Sequence, residues 1–230
     1  MPARHSFFDR IRHGLIVSCQ PVPGGPFDNP ASVAAFALAA EASGAVALRV
    51  EGRAAIDAVC AACRLPVIGI VKRDLPDSPV RITPWLDDVA AIAAAGASVI
   101  AIDATERPRP VPVAALITAI HARGCLAMAD VSSLAEGRAA HEADADLVAS
   151  TLAGYTGPAP PPSAPDLTLV RELAAAGLCT IAEGNIRTPA QAAAALAAGA
   201  LSVTVGSAIT RPEHITQWFV AALRDAAAAP

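Results

Sequence analysis

Short apolar runs rich in β-branched residues alternate with alanine- and leucine-rich stretches along most of this chain. Each apolar run is nearly continuous rather than alternating, which is the pattern of parallel strands buried on both faces. The runs predict eight strands, at Leu15–Gln20, Ala45–Val50, Pro66–Lys72, Ser98–Asp103, Cys125–Val131, Leu147–Leu152, Cys179–Glu183 and Ser202–Gly206. The intervals between them leave room each time for one helix and two short loops.

The stretches between the strands predict helices, most clearly at Ala31–Ala42 and Pro189–Ala198, where alanine and leucine dominate. A glycine recurs between helix and strand, where a left-handed helix end belongs. These junction glycines are Gly44, Gly96, Gly177 and Gly199. The recurring helix–glycine–strand junction indicates an internal repeat of a strand–helix unit.

Two helix starts carry a recognisable cap pattern. Thr188 is followed by a proline at the first helical position and by Gln191 at the capping-box position. Thr210 and Glu213 repeat the same spacing. We therefore expect helices to begin directly after Thr188 and after Thr210.

Eight strictly alternating strand–helix units in 230 residues predict a parallel sheet of the α/β class. No GxGxxG pattern follows the first strand, so a closed (β/α)8 TIM barrel fits better than an open doubly wound sheet. We expect a single domain over residues 1–230, with the barrel core at about 15–225. The proline-rich stretch Gly157–Pro165 is interpreted as a long loop after the sixth strand and not as a domain boundary.

Composition and charge narrow the choice of partners. The formal net charge is −4 and charged residues make up 17% of the chain, so a nucleic-acid-binding face is not expected. No apolar run approaches the roughly 18–20 residues that span a bilayer, so no membrane partner is expected either. Five cysteines suit a reducing compartment, and we expect a cytoplasmic protein. The lone pair Cys60 and Cys63 lacks the further ligands of a zinc site and is interpreted as helix packing.

Catalytic groups in such a barrel come from the carboxyl-terminal ends of the strands and the loops after them. Polar residues are unexpected there within apolar runs, and this selects Gln20, Arg49, Lys72, Asp130, Tyr155 and Glu183 as candidates. Lys72 ends its strand at an inward-pointing position. Arg49 has a plausible structural role as the partner of Glu51 or of an acid on a neighbouring strand, and Asp130 as a cap of its loop.

The loops after the last two strands suggest a phosphate site. Gly184 and Asn185 precede one helix start, and Gly206 and Ser207 precede Arg211 and the next. Backbone N–H groups freed by glycines, a helix amino terminus and one arginine suit a dianionic phosphoester.

The five histidines form no His-x-His pattern and show no convergent spacing with carboxylates. We therefore expect no bound metal. No nucleotide or nicotinamide site is recognisable, so no cofactor is expected.

Taken together, the strand-end motifs resemble the N-acetylmannosamine-6-phosphate 2-epimerase family over about Leu15 to Phe219. The motifs that carry the resemblance are GIVKRD at 69–74, RITP at 81–84, DAT at 103–105, MADVS at 128–132, TLAGYT at 151–156, IAEG at 181–184 and VGSAITRP at 205–212. Two positions depart from the expected family pattern: Glu51 stands where small polar residues are usual, and Asn185 where an arginine is common.

The resemblance implies conversion of N-acetylmannosamine 6-phosphate to N-acetylglucosamine 6-phosphate in the use of sialic acid. In the open-chain sugar, a base can remove the C2 hydrogen because it is α to the aldehyde carbon. Lys72 is expected to be that base, kept neutral by burial and by Arg49 and Arg73, with Glu183 across the mouth as its partner. Both one lysine with bond rotation and two acid/base groups remain open.

Two other functions also remain open. A non-catalytic phosphosugar-binding barrel would keep the glycine loops and Arg211 but would not need Lys72 and Glu183 together. Another phosphosugar isomerase or aldolase would use Lys72 to form a Schiff base. Large alanine-rich helical faces make a homodimer plausible.

Overall fold

The chain forms a closed barrel of eight parallel strands in sequence order, which confirms the predicted (β/α)8 fold. The structure is a computed structural model that describes residues 2–158, 160 and 162–228. The strands are β1 (Leu15–Cys19), β2 (Ala47–Glu51), β3 (Val67–Ile70), β4 (Val99–Asp103), β5 (Leu126–Asp130), β6 (Leu147–Ala149), β7 (Thr180–Glu183) and β8 (Ser202–Val205). Every neighbouring pair is parallel, and β1 closes the barrel against β8.

Helices cover the outside of the barrel. They are α1 (Pro2–Ile11), α2 (Pro30–Ala42), α3 (Arg53–Ala62), α4 (Leu86–Ala94), α5 (Val113–His121), α6 (Leu134–Glu142), α7 (Leu167–Ala175), α8 (Pro189–Ala197), α9 (Ser207–Thr210) and α10 (Pro212–Ala228). None of the helices in the described ranges is long and apolar enough to cross a membrane.

The amino-terminal helix α1 was not predicted from the sequence. Phe7 and Ile11 of this helix are buried in the same cluster as inward-facing barrel residues such as Ile16 and Met128. Burying a large apolar side chain in this way contributes about 1.5–3 kcal/mol. The helix therefore closes the amino-terminal end of the barrel interior and leaves the opposite end, the mouth, for the site.

The predicted helix ends are confirmed at the junction glycines. Gly44, Gly96, Gly177 and Gly199 adopt positive φ angles of 88°, 94°, 79° and 103°. A left-handed residue at this point is costly for any side chain with a Cβ atom, which explains the choice of glycine.

One of the two predicted helix starts is correct. The Thr188 hydroxyl oxygen accepts from the backbone N–H of Gln191, and the backbone N–H of Thr188 donates in return to Gln191 Oε1, which completes a capping box at the start of α8. The second predicted start is displaced by one residue, since α10 begins at Pro212 and Thr210 is the last residue of α9. The hydroxyl of Thr210 instead donates to the carbonyl oxygen of Ser18 at 2.7 Å and ties α9 to β1.

The strand after Pro66 ends earlier than predicted. β3 stops at Ile70 because the chain beyond it folds back on itself: Arg73 N–H donates to the carbonyl oxygen of Arg81 at 2.9 Å. Lys72 lies in this segment, paired in a single antiparallel bridge with Ile82. Since Ile68 and Ile70 point into the barrel, the two-residue period still carries Lys72 to the inside.

The sixth strand is also shorter than predicted, since β6 ends at Ala149 and a 3₁₀ turn occupies Ser150–Leu152. The proline-rich stretch Gly157–Pro165 follows this turn and precedes α7, as a loop would. Within it, positions 159 and 161 lie outside the described residues.

Candidate active site

A cavity of about 670 Å³ opens at the mouth of the barrel, a volume typical of small-molecule sites. Its walls come from strand ends around the whole barrel and from the loops after β7 and β8. They include ten of the residues singled out from the sequence: Gln20, Arg49, Lys72, Tyr155, Glu183, Gly184, Asn185, Gly206, Ser207 and Arg211. The fold thus gathers into one place residues that are up to about 190 positions apart in the chain.

Arg49 lies at the centre of the cavity floor and is only 1% exposed. Its Nη1 donates to Asp130 Oδ1 at 3.0 Å and to Glu183 Oε2 at 2.8 Å, and its Nη2 donates to Asp130 Oδ2. Burial opposes the charge, but the two carboxylates outweigh it, so the pKa of Arg49 lies above its ordinary value. The carboxylates that pair with Arg49 come from β5 and β7, and not from Glu51 or from a strand next to β2. Arg49 therefore links strands that are not neighbours in the barrel.

Asp130 does not line the cavity, although the sequence suggested that it contacts substrate. It is completely buried below Arg49. Thr151 donates its hydroxyl to Asp130 Oδ1 at 2.7 Å, and Arg49 occupies both carboxylate oxygens. In this arrangement Asp130 holds Arg49 in place, and a direct contact between Asp130 and a substrate stays a prediction.

Lys72 reaches the cavity from the β3 side. Its Nζ donates to Gln20 Oε1 at 2.6 Å and lies 3.1 Å from Glu51 Oε2. Burial lowers the pKa of Lys72 below its ordinary value, Glu51 opposes this, and the charges of Arg49 and Arg211 reinforce it. The amine is therefore closer to neutrality than a surface lysine.

The second arginine expected beside Lys72 is not Arg73. Arg73 is the next residue along an extended segment, so its side chain points to the other face. There its Nη2 lies 2.6 Å from Asp88 Oδ1 in α4. The second arginine is Arg211, which directly follows α9, lines the cavity and helps to lower the pKa of Lys72.

Glu183 enters from β7, four strands from β3, and borders the same cavity as Lys72. Burial raises the pKa of its carboxyl, with the charge of Asp130 adding to the effect and those of Arg49 and Lys72 opposing it. Its backbone is fixed on both sides by Ser150, which accepts from Glu183 N–H at 3.1 Å and donates to its carbonyl oxygen at 2.9 Å.

The loops after β7 and β8 lie side by side, since Glu183 pairs with Thr204. Gly184 and Asn185 have positive φ angles of 114° and 54°. The amide oxygen of Asn185 accepts from the hydroxyl of Tyr155 at 3.1 Å. This bond connects the loop after β6 to the loop after β7.

Gly206 and Arg211 build the other side of this region. A Cβ atom on Gly206 would come within 3.2 Å of Ser18 Cβ, so the close approach of β8 to β1 favours glycine. Arg211 Nε donates to the carbonyl oxygen of Gln20 at 2.8 Å, which fixes the guanidinium at the cavity edge. Ser207 begins the short helix α9 at the same edge.

Further residues that the sequence did not single out also line the cavity: Ser18, Arg81, Arg107, Arg187, His214, Gln217 and Trp218. Arg187 belongs to the loop after β7, where its position could have suggested it. His214, Gln217 and Trp218 lie on α10, and no pattern in the sequence indicated that this helix lines the cavity. Among the described residues, no group of three or more His, Cys, Asp or Glu side chains could hold a metal ion.

The cysteine pair lies outside this cavity. Cys60 is in α3 and Cys63 directly follows it, and both are free thiols. Burial raises the pKa of both, which disfavours the reactive thiolate.

The fold and the site define the class of this protein: it is a (β/α)8 barrel enzyme. Its site at the barrel mouth is built from lysine, carboxylate and arginine side chains. A family model described as "Putative N-acetylmannosamine-6-phosphate epimerase" (NanE) matches residues 33–225. The chain belongs to this N-acetylmannosamine-6-phosphate epimerase family.

Individual relatives agree with the family model. A "Putative N-acetylmannosamine-6-phosphate 2-epimerase" of Klebsiella pneumoniae is 59% identical over 219 residues, which cover 94% of this chain and 93% of the relative. A "Bifunctional enzyme NanE/NanK" of Brucella melitensis is also 59% identical over 219 residues and 95% of this chain. This chain spans only 42% of the length of that bifunctional relative.

Solved structures give the same picture. The N-acetylmannosamine-6-phosphate 2-epimerase from Clostridium perfringens superimposes with a TM-score of 0.90 and 40% identity, covering 93% of this chain and 94% of that one. A deoxyribose phosphate aldolase from Aeropyrum pernix reaches a TM-score of 0.65 at 15% identity, which shows a shared fold alone.

Proposed function

We propose that this protein interconverts N-acetylmannosamine 6-phosphate and N-acetylglucosamine 6-phosphate by inverting C2, in amino sugar and sialic acid catabolism. The observation that carries the proposal is the convergence of Lys72 and Glu183 on one cavity around the fixed cation Arg49. Family membership and the names of the relatives support the same reaction.

The proposed chemistry begins with the open-chain sugar, in which C2–H is α to the C1 aldehyde. Neutral Lys72 takes the C2 proton as a general base, and the electron pair of the broken C–H bond moves onto the aldehyde oxygen to form an enolate. Positive charge at the cavity floor stabilises that oxygen, and Arg49 is the cation placed there. Lys72 ends this step as an ammonium.

Glu183 is the proposed second acid/base group. Burial raises the pKa of Glu183, and in the proposed two-base mechanism its protonated form delivers the second proton to C2 from the side opposite Lys72. Protonation on the other face inverts C2, and the reverse reaction exchanges the two roles. The alternative is that Lys72 alone moves the proton and the substrate rotates before it is returned.

The loops after β7 and β8 are the proposed phosphate site. Gly184, Asn185, Gly206 and Ser207 supply backbone donors, and Arg211 supplies a charge at the same edge of the cavity. Next to these groups, Gln20 and Tyr155 offer hydrogen bonds to sugar hydroxyl groups.

The test is direct conversion by the purified protein, followed by NMR, without added metal, nucleotide or nicotinamide. We expect the signals of N-acetylglucosamine 6-phosphate to grow in when N-acetylmannosamine 6-phosphate is supplied. Unphosphorylated N-acetylmannosamine should be a very poor substrate. Absence of conversion, with binding retained, would instead support a non-catalytic phosphosugar-binding barrel.

The aldolase alternative predicts a covalent Schiff base at Lys72. Borohydride would trap it as a stable adduct, which mass spectrometry detects. We expect no adduct at Lys72, since proton transfer needs no bond between the amine and the sugar carbon.

We also propose that the protein acts as a homodimer in the cytoplasm. Its five cysteines are free, as expected in a reducing compartment. The apolar side chains Phe219 and Leu223 stand exposed on α10 and offer a surface for a second copy.

A further inference from the structure

The cations that line the cavity differ in whether a carboxylate neutralises them. Arg49, Lys72, Arg81 and Arg107 each form an ion pair. Arg187 and Arg211 line the same cavity, and neither forms an ion pair with any carboxylate in the part of the chain that the structure describes. These two guanidinium groups therefore leave positive charge available to an anionic ligand.

Arg187 is held in place although its side chain is exposed. Its backbone N–H donates to Gln191 Oε1 at 2.7 Å, within the capping arrangement at the start of α8. The guanidinium carbon lies 5.0 Å from the centre of the Trp218 ring, a cation–π contact. Anchoring at both ends reduces the conformational freedom that a bound ligand would otherwise have to remove.

The contact with Trp218 also places Arg187 relative to Arg211. The helix α10 begins directly after Arg211 and carries both His214 and Trp218, one turn apart and both on the cavity wall. Arg187 itself follows β7, the strand that pairs with β8. The two unpaired arginines thus flank the same pair of loops.

We infer that Arg187 is a phosphate-binding residue that forms, together with Arg211, a two-arginine clamp on the substrate phosphate. This inference rests on the proposed function for the identity of the substrate. A sugar phosphate carries close to two negative charges at neutral pH, and a planar guanidinium can donate two parallel hydrogen bonds to it. In this clamp Arg211 supplies one positive charge and Arg187 supplies the second.

The test measures the affinity for inorganic phosphate by isothermal titration calorimetry at low ionic strength. Arg187→Gln should weaken phosphate binding about five- to tenfold, at the lower end for a charge-assisted contact because the group is exposed and screened. Arg211→Gln should weaken it at least as much. Arg187→Lys keeps the charge but loses the planar fork, so it should recover part of the affinity.

The matched control is Arg81→Gln. It removes the same charge from the same cavity, but from an arginine that already pairs with Asp74. We expect its phosphate affinity to stay within about twofold of wild type, as is usual for an exposed ion pair. If Arg187→Gln binds phosphate no more weakly than Arg81→Gln, the clamp is wrong.

Kinetics with N-acetylmannosamine 6-phosphate separate this inference from the proposed function. Arg187→Gln should raise KM by a similar factor and leave kcat nearly unchanged, because the phosphate is bound equally in ground and transition states. A loss in kcat with unchanged KM would contradict the clamp. A wild-type protein that binds phosphate through Arg187 but converts no sugar would refute the proposed function and leave the clamp standing.

Discussion

The ion pair between Lys72 and Glu51 works against the neutral amine that proton abstraction needs. Burial lowers the pKa of Lys72, and Glu51, 3.1 Å away, raises it again. Glu51 stands where the family resemblance led us to expect a small polar residue. The balance between burial and this carboxylate therefore sets the pH at which Lys72 becomes a base.

Replacing Glu51 with glutamine should shift the pH dependence of the reaction. Without the carboxylate the pKa of Lys72 falls further, so more of the amine is neutral at a given acidic pH. The rising acidic limb of kcat/KM against pH should move to lower pH in Glu51→Gln. An acidic limb that stays in place or moves to higher pH would show that Lys72 does not control it. The control is Asp57→Asn, on the exposed face of α3, which should leave the acidic limb in place.

Glu183→Gln distinguishes the two mechanisms that remain open. If Glu183 donates the second proton, inversion should fall about 10²–10⁴-fold, while the starting sugar still exchanges its C2 proton with solvent through Lys72. If Lys72 acts alone, exchange and inversion should fall together. Proton NMR in deuterated water follows both rates in one sample.

For single residues, the sequence predicted the site from polar side chains at the ends of apolar strands. Their positions at the ends of apolar runs correctly predicted that Lys72, Arg49 and Glu183 share one cavity, and the two-residue period of a strand directed Lys72 inward. The same period should have excluded Arg73, which points to Asp88. Contacts such as the one between Arg187 and Trp218 join separate elements, and periodicity carries no information about them.

Among the elements, β3 shows how a strand is fitted to the helices outside it. Gly69 faces outward, and a Cβ atom there would lie 2.4 Å from Ile92 Cγ2 and 3.0 Å from Ala97 Cβ. No side chain fits without moving α4. This packing fixes β3, and with it the segment that carries Lys72.

Gly69→Ala should therefore destabilise the fold by about 1–3 kcal/mol, the usual cost of overpacking a core. Urea denaturation monitored by circular dichroism should show a lower midpoint with an unchanged m-value. Gly157→Ala is the control, since no heavy atom of the described residues lies within 4 Å of the added Cβ, and we expect a change below about 0.5 kcal/mol. Equal stability of the two variants would contradict this account of β3.

Strand and helix order could be predicted because the barrel repeats one unit, with a glycine at each junction. Most boundaries were correct within one or two residues. Strands β3 and β6 end earlier than predicted because the chain turns on itself after each of them, and those turns are stabilised by contacts outside the strand. The helix α1 was missed because its two core residues, Phe7 and Ile11, bury only in the context of the assembled barrel.

On the surface of the whole molecule, the helix α10 exposes apolar side chains that a second copy of the chain could cover. None of the described side chains of this 17-residue helix is buried, and Phe219 and Leu223 are 69% and 71% exposed. Neighbouring apolar side chains on one helix face favour contact with a second copy.

We expect the wild-type protein to sediment as a dimer in analytical ultracentrifugation. A Phe219→Glu and Leu223→Glu double variant should shift the equilibrium to monomer, because association would bury two uncompensated charges. Leu86→Glu, at an exposed apolar position on α4, is the control and should leave the dimer intact. A wild-type monomer, or a double variant that still dimerises, would refute the proposed surface.

In the proposed reaction, Lys72 at the mouth of the barrel removes the proton at C2 of the sugar. The measurement is deuterium incorporation at C2, followed by NMR during conversion of N-acetylmannosamine 6-phosphate in deuterated water. We expect wild-type product to carry deuterium at C2, and Lys72→Ala to lose both exchange and inversion by at least about 10²–10⁴-fold while still binding inorganic phosphate. Product that retains protium at C2 in every molecule, or wild-type exchange by Lys72→Ala, would contradict the account.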